Sequence, residues 1–355
     1  MPPLKAGGVS AGIGGWARDG ACEFVLLTDL TPTRRKTHRP QPRSDSSVPG
    51  QVFICKHERK TMRHDAVRDM YLSWTAARIK GEPQDPEAWG ELTAEPRAVD
   101  YVETDVSGLP AMWAIPHGCA EDRVILCMHG GGYLGGSIYT HRKMFAHLAK
   151  TAGVRALVFE YPLAPARTHP AQVDHATRAY RWLLEEQGVD AAHMAFTGDS
   201  SGGGLTVSTQ LRAREQGLPL PAATLPLSPW VDVEQSGESY RSNWATEAFF
   251  YKEAVDGFAA MFLGESGDSR DPLASPLYGD LAGLAPMYIQ VGGDETLLDD
   301  SRALTERARA AGVEVRLDVF DGQQHTFQMA AGRSDVADDA IGRLATWVRP
   351  RLGLS

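Results

Sequence analysis

From about residue 99 onwards, short β-prone apolar runs alternate with longer amphipathic stretches, and this alternation constrains the fold more than any other feature. Apolar runs fall at 99–105, 110–116, 123–128 (RVILCM), 155–161 (RALVFEY), 193–197 (HMAFT), 223–228, 286–291 (PMYIQV) and 314–320 (EVRLDVF). Amphipathic helices are predicted at about 140–151, 171–187, 201–216, 299–311 and 335–349. Runs that can be buried on both faces, separated by helices, require a mostly parallel sheet covered on both sides. The expectation is an α/β fold with eight strands. Between the runs at 223–228 and 286–291 lies an excursion of more than fifty residues, rich in aromatics such as Trp230, Trp244, Phe249, Phe250 and Phe258. It is too long for a plain connection and is read as a cap over one edge of the sheet, although an ordinary helical insertion would carry the same composition.

Upstream of the alternation the chain changes character. Residues 1–55 include TPTRRKTHRPQPRSDSSVPG, with few apolar positions to bury, and are expected to be disordered or a non-core N-terminal extension. From Thr61 a helical period begins, in which Met62, Val67, Met70, Tyr71, Trp74 and Ile79 are spaced to line one face. The net charge of −9 argues against a nucleic-acid partner, whose phosphates need a basic face. Cys22, Cys55, Cys119 and Cys127 show no C-x-x-C spacing, so neither a zinc site nor a disulfide framework is suggested. No run approaches the length of a membrane-spanning helix, and AGGVSAGIGG stands where a signal peptide would need an apolar core. Cytoplasmic is the default expectation.

The chemistry follows from order and elimination. Gly198-Asp199-Ser200-Ser201-Gly202 fits the G-x-S-x-G pattern of a strained strand-to-helix turn that exposes one serine hydroxyl. A Gly-rich turn with ordinary capping serines would look the same, so the partners must decide. A serine nucleophile needs an imidazole to take its proton and a carboxylate to orient that imidazole. In the hydrolase version of such a sheet the chain order is nucleophile, acid, histidine. Of the eleven histidines only His325 follows Ser200, in the loop DGQQHTFQ after the last apolar run. The acid should follow PMYIQV, where VGGDETLLDDS offers Asp294, Glu295, Asp299 and Asp300. Asp299 and Asp300 read as cap and first-turn acids of the next helix, which leaves Asp294 and Glu295. Asp271, in RDPLASP, reads as a turn residue.

Charge developing on a carbonyl oxygen needs preorganised N–H donors. RVILCM runs straight into His129-Gly130-Gly131-Gly132-Tyr133, whose bare amides can approach a substrate closely. A phosphate loop is the rival, but GGGYLGG lacks the Gly-Lys-Ser/Thr ending. The remaining donor is expected from Ser201, directly after the nucleophile.

HGGGY at 129–133, YPLAP at 161–165, GDSSGG at 198–203 and ETLLDD at 295–300 resemble the hormone-sensitive-lipase branch of α/β-hydrolase carboxylesterases. The resemblance covers roughly residues 60–350. It implies an α/β-hydrolase domain over 56–355, with a helical cap from about 60–95 and 231–282, and carboxylester hydrolysis without cofactor or metal. Carried over, Ser200 matches the nucleophile, His325 the base, and Gly130, Gly131 and Gly132 the oxyanion loop. The family's D-x-L-x-D pattern, laid without gaps, falls on Glu295-Thr296-Leu297-Leu298-Asp299, so the acid is Glu295 in place of the usual Asp. Pro162 and Ala166 also depart from the family's pattern. The expected activity is serine carboxylesterase (EC 3.1.1.-) action on short- to medium-chain acyl esters through a Ser-His-Glu triad and an acyl-enzyme. A lactone or N-acyl amide hydrolase with the same machinery is the alternative, and a non-catalytic ligand receptor on this fold a remoter one. The partner is a small-molecule acyl ester. Oligomeric state is not legible in the sequence; a homodimer is the commonest closed assembly.

Overall fold

The computed structural model describes residues 66–82, 85 and 87–355; the 1–55 extension, Met62 and the first residues of the 60–95 segment lie outside the described residues. Eight strands form one sheet: β1 (Val99–Asp105), β2 (Pro110–Pro116), β3 (Ala120–Met128), β4 (Val154–Phe159), β5 (Met194–Asp199), β6 (Ala223–Leu227), β7 (Met287–Gly292) and β8 (Val315–Phe320). Their order is β1-β2-β4-β3-β5-β6-β7-β8. The pairs β1/β2 and β2/β4 are antiparallel and all others parallel. Central strands are buried on both faces, with Ile125, Leu126, Val158, Phe196, Leu225 and Ile289 fully enclosed, as the unbroken apolar runs require.

The described helices are α1 (Ala66–Lys80), α2 (Ala88–Leu92), α3 (Ile138–Ala152), α4 (Ala171–Glu185), α5 (Ser201–Glu215), α6 (Ser239–Ser242), α7 (Lys252–Leu263), α8 (Leu298–Ala310) and α9 (Asp335–Val348). None is long and apolar enough to cross a membrane. Local chemistry sets their ends. Ser137 and Thr140 form a reciprocal capping box at the start of α3, and Gly153 closes it in the left-handed region.

Three expectations are corrected. Strand β5 runs on to Asp199 because that residue still pairs with Leu227 of β6. Helix α5 is not amphipathic: every residue from Ser201 to Leu211 is buried, since α4, the sheet and the chain around Trp230 enclose it. Ile79 does not share the face of Val67 and Tyr71; it is 78% exposed. Eight residues past Tyr71, at 3.6 residues per turn, it is rotated about 80° off that face.

Topology fixes where a site can form. Strand β3 lies between β4 and β5, so successive connections leave it in opposite directions and open a crevice at the carboxyl ends of β3 and β5. The glycine loop leaves β3 there, and Ser200 ends β5 there. Helices α1 and α2 and the 228–286 excursion pack together through aromatic rings: Tyr71 meets Phe249 and Phe250, and Trp89 stacks on Phe250.

Candidate active site

Ser200 sits between β5 and α5 with φ 55° and ψ −123°. A β-carbon at positive φ is strained by roughly 1–3 kcal/mol, so the surroundings must enforce it. They do so through backbone: Ser200 N–H donates to Leu227 O at 2.9 Å, and Ser200 O accepts from Trp230 N–H at 2.9 Å. The glycine at 202 is a steric requirement, because a Cβ there would lie 2.0 Å from Met128 O and 2.5 Å from His129 O. Tyr133, Ser228 and Thr326 also hold positive φ, at 62°, 45° and 51°. The segments that follow β3, β5, β6 and β8 thus each carry a strained non-glycine residue near the site.

His325 is buried, and its Nδ1 lies 2.9 Å from Glu295 Oε1. The other Glu295 oxygen accepts from Ser228 Oγ–H at 2.7 Å and from Gly292 N–H at 2.8 Å. Ser228 Oγ in turn accepts from Thr326 N–H at 3.2 Å, so one hydroxyl braces both the carboxylate and the residue after the histidine. His325 Nε2 is buried without a hydrogen-bond partner among the described residues. No hydrogen bond joins it to Ser200 Oγ, a contact that commonly tightens only when substrate is bound. The two residues are linked through one step of backbone, since Ser200 bonds Leu227 while Ser228 bonds Glu295. Burial alone would push the imidazole towards its neutral form. The Glu295 charge and hydrogen bond, with Glu247 and Asp199 further off, outweigh it and hold the His325 pKa above its ordinary 6.5.

Asp294 does not share this position. It is half-buried, its N–H donates to Gln323 O at 3.1 Å, and its carbonyl accepts from Thr246 Oγ–H. Asp300 lies in the first turn of α8 as expected, but its carboxylate turns inward and accepts from Val231 and Asp232 N–H at 2.9 and 3.0 Å. Burial, against the pull of those two N–H groups, drives its pKa well above the carboxylate range. Asp299 likewise serves the excursion, accepting from Ser239 N–H at 2.8 Å. Asp271 caps its own turn at Leu273 N–H and also meets His169 Nε2 at 3.0 Å.

The glycine loop lies beside the serine turn. Tyr133 N–H donates to Ser201 Oγ at 3.3 Å and its hydroxyl to Ser201 O at 2.9 Å. Gly130 N–H is already engaged, donating to Asp199 Oδ1 at 3.0 Å, so it is not free to meet a substrate oxygen. The N–H groups of Gly131, Gly132 and Ser201 have no acceptor among the described residues. Gly131 is at φ 119°, and a Cβ there would lie 2.2 Å from Gly135 O. Asp199, read from sequence only as part of a tight turn, therefore anchors the loop; its other oxygen lies 3.3 Å from His141 Nε2.

A cavity of about 300 Å³ opens along Gly131, Leu134 and Gly135. Trp74, Trp89, Phe249, Phe250 and Phe258 wall it, with Asp85 at the edge. The Phe250 ring also meets the His325 ring edge-on, centroids 4.6 Å apart. A larger cavity, about 410 Å³, lies among Val67, Gln323, Phe327 and Arg333, and none of the candidate groups lines it. Asp199, Ser228, Glu247 and Tyr71, whose hydroxyl meets Thr326 Oγ at 2.8 Å, were not foreseen as parts of the site. Each acts through a contact distant in sequence, with no local pattern to announce it.

Comparison with known proteins agrees with this architecture. Residues 125–329 match a family profile described as the alpha/beta hydrolase fold. An acetyl-hydrolase of Streptomyces hygroscopicus is 36% identical over 270 residues, covering 74% of this chain and 88% of the relative. An esterase of Acinetobacter venetianus is 33% identical, over 63% of this chain and 73% of its own. The crystal structure of an esterase from the bacterial hormone-sensitive lipase family superposes with TM-score 0.77 at 41% identity, covering 82% of this chain and all of that one.

Proposed function

The chain belongs to the hormone-sensitive-lipase-like α/β-hydrolase carboxylesterases and is a carboxylic ester hydrolase, and from that premise we propose that it cleaves short- to medium-chain acyl esters through Ser200, His325 and Glu295. The observation that carries the reading is His325: one ring nitrogen is fixed on a buried carboxylate, and the other is buried with no hydrogen-bond partner among the described residues.

In the first half-reaction Ser200 Oγ attacks the ester carbonyl while its proton passes to His325 Nε2. Glu295 stabilises the imidazolium and fixes its orientation. The carbonyl oxygen becomes an oxyanion held by the N–H groups of Gly131, Gly132 and Ser201, donors typically worth ~3 kcal/mol each. Gly130 serves differently, anchoring the loop to Asp199. The tetrahedral intermediate collapses as His325 returns its proton to the departing alkoxide, leaving an acyl group on Ser200. Water then repeats the sequence: His325 takes its proton, hydroxide adds to the acyl carbon, and Ser200 leaves with the proton from His325.

Helices α1 and α2 and the 228–286 excursion act as the cap that shapes the acyl site. At about 300 Å³ the aromatic cavity is at the small end of small-molecule sites, which favours short acyl groups; the acetyl-hydrolase relative points the same way. Initial rates on p-nitrophenyl esters from acetyl to palmitoyl test this. The expected result is highest kcat/KM at acetyl to hexanoyl, with loss in Ser200→Ala at every length. Rates rising through dodecanoyl would refute the chain-length assignment.

A further inference from the structure

Glu247 is a buried acid outside the triad. One of its oxygens accepts from Phe249 and Phe250 N–H at 2.9 and 3.0 Å. The other accepts from Thr296 N–H, the residue after Glu295, at 3.1 Å. Thr296 answers by donating its hydroxyl to Phe250 O at 2.6 Å. Phe249 and Phe250 wall the aromatic cavity, and Phe250 also packs on His325. Further bonds fix the same short stretch: Gln324, next to His325, accepts from Ala248 N–H at 3.0 Å, and Thr75 of α1 donates to Ala248 O at 2.6 Å.

We propose that Glu247 is a positioning residue whose single carboxylate aligns the aromatic wall of the substrate cavity with the loop that carries Glu295. The proposal rests on the triad reading above and adds to it a physical link between substrate contact and acid placement. A carboxylate suits the task because its two oxygens accept several N–H donors at once and donate none. An amide in the same place must turn its NH₂ towards either the Phe249 and Phe250 donors or the Thr296 donor. Whichever way it turns, one connection becomes a clash of donors. The Glu247 charge also reaches His325, together with Glu295 and Asp199, and helps to raise the pKa of the ring. From α1, the Tyr71 hydroxyl feels the same charge, and the Arg68 guanidinium donates to Thr246 O at 3.0 Å.

The test compares Glu247→Gln, Glu247→Asp and Thr296→Val with wild type, using p-nitrophenyl butyrate across pH. Glu247→Gln should lower kcat/KM about tenfold or more, with KM raised as well as kcat reduced. The acidic limb of its kcat/KM profile should move to lower pH. Glu247→Asp restores the charge, so the limb should return to the wild-type position while the rate is only partly recovered. Thr296→Val loses the hydroxyl bond to Phe250 O but keeps the charge; it should raise KM and leave the limb in place. If Glu247→Gln is less heat-stable but keeps wild-type kcat, KM and acidic limb, the residue is merely structural and the proposal is overturned. If Glu247→Gln does not fold, wild-type KM in Thr296→Val overturns it instead. Labelling of Ser200 by a fluorophosphonate in each variant separates the two levels: turnover by Ser200→Ala would sink the triad itself, whereas labelled, fully active Glu247→Gln sinks only this link.

Discussion

Ser228→Ala removes one hydroxyl and probes the bracing of Glu295 directly. The hydroxyl donates to the carboxylate at 2.7 Å and accepts from Thr326 N–H at 3.2 Å. Losing a bond to a buried charged group costs about 1.5–3 kcal/mol, and leaving the Thr326 N–H unsatisfied adds about 1 kcal/mol. With an unfolding entropy of about 2.1 cal/mol/K per residue, a protein of this size loses roughly 1.5 °C of Tm per kcal/mol, so a fall of roughly 4–6 °C is expected by calorimetry. The kinetic effect should be smaller and should fall on kcat. Ser228 does not line the aromatic cavity, so KM should hold. The carboxylate is needed most when His325 becomes a cation. If about half of the lost bond energy is expressed there, kcat drops roughly three- to tenfold, at 1.36 kcal/mol per factor of ten. A variant with lowered Tm and kcat within twofold of wild type would show that Glu295 needs no such brace. A rise in KM at constant kcat would place Ser228 at the substrate instead.

Two further outcomes follow from the geometry. His325 must be neutral to take the serine proton, and its pKa is held above the ordinary 6.5; activity should therefore rise with pH through a midpoint above 6.5, and a midpoint below it in wild-type kcat/KM would contradict the stated electrostatics. Glu295→Gln should cut kcat by several orders of magnitude with little change in KM, Glu295→Asp should retain part of the activity, and Asp294→Asn should cost far less than either; inactivation by Asp294→Asn with Glu295→Gln near wild type, both folded by circular dichroism, would reverse the assignment of the acid.

The parts of the molecule legible in the sequence are those whose cause is local. Burial on both faces makes a strand apolar, so β4 to β7 and the second half of β3 announce themselves, and the parallel order follows from the helices between them. The elbow is legible because close backbone approach forces glycine at 198 and 202, where a Cβ would lie 2.4 Å and 2.0 Å from backbone oxygens. Residue spacing alone does not separate Glu295 from Asp294; only the resembled family's D-x-L-x-D pattern favours Glu295, the carboxylate that lies 2.9 Å from His325 Nδ1. Side chains that satisfy distant backbone donors leave no such trace. Asp300 stands in the first turn of α8 and looks like a dipole acid, yet it holds Val231 and Asp232 from 69 and 68 residues away. Asp199, Ser228 and Glu247 act in the same manner. Gly130 looks equivalent to its two neighbours in sequence and differs only because Asp199 engages its N–H.

The central claim is that Ser200 forms the covalent bond to the acyl group. Treating the intact protein with a fluorophosphonate and locating the adduct by peptide mass tests it directly. One adduct on Ser200 is expected, forming in step with loss of esterase activity and absent in Ser200→Ala. An adduct on Ser201, or full inactivation with Ser200 unmodified, would contradict it.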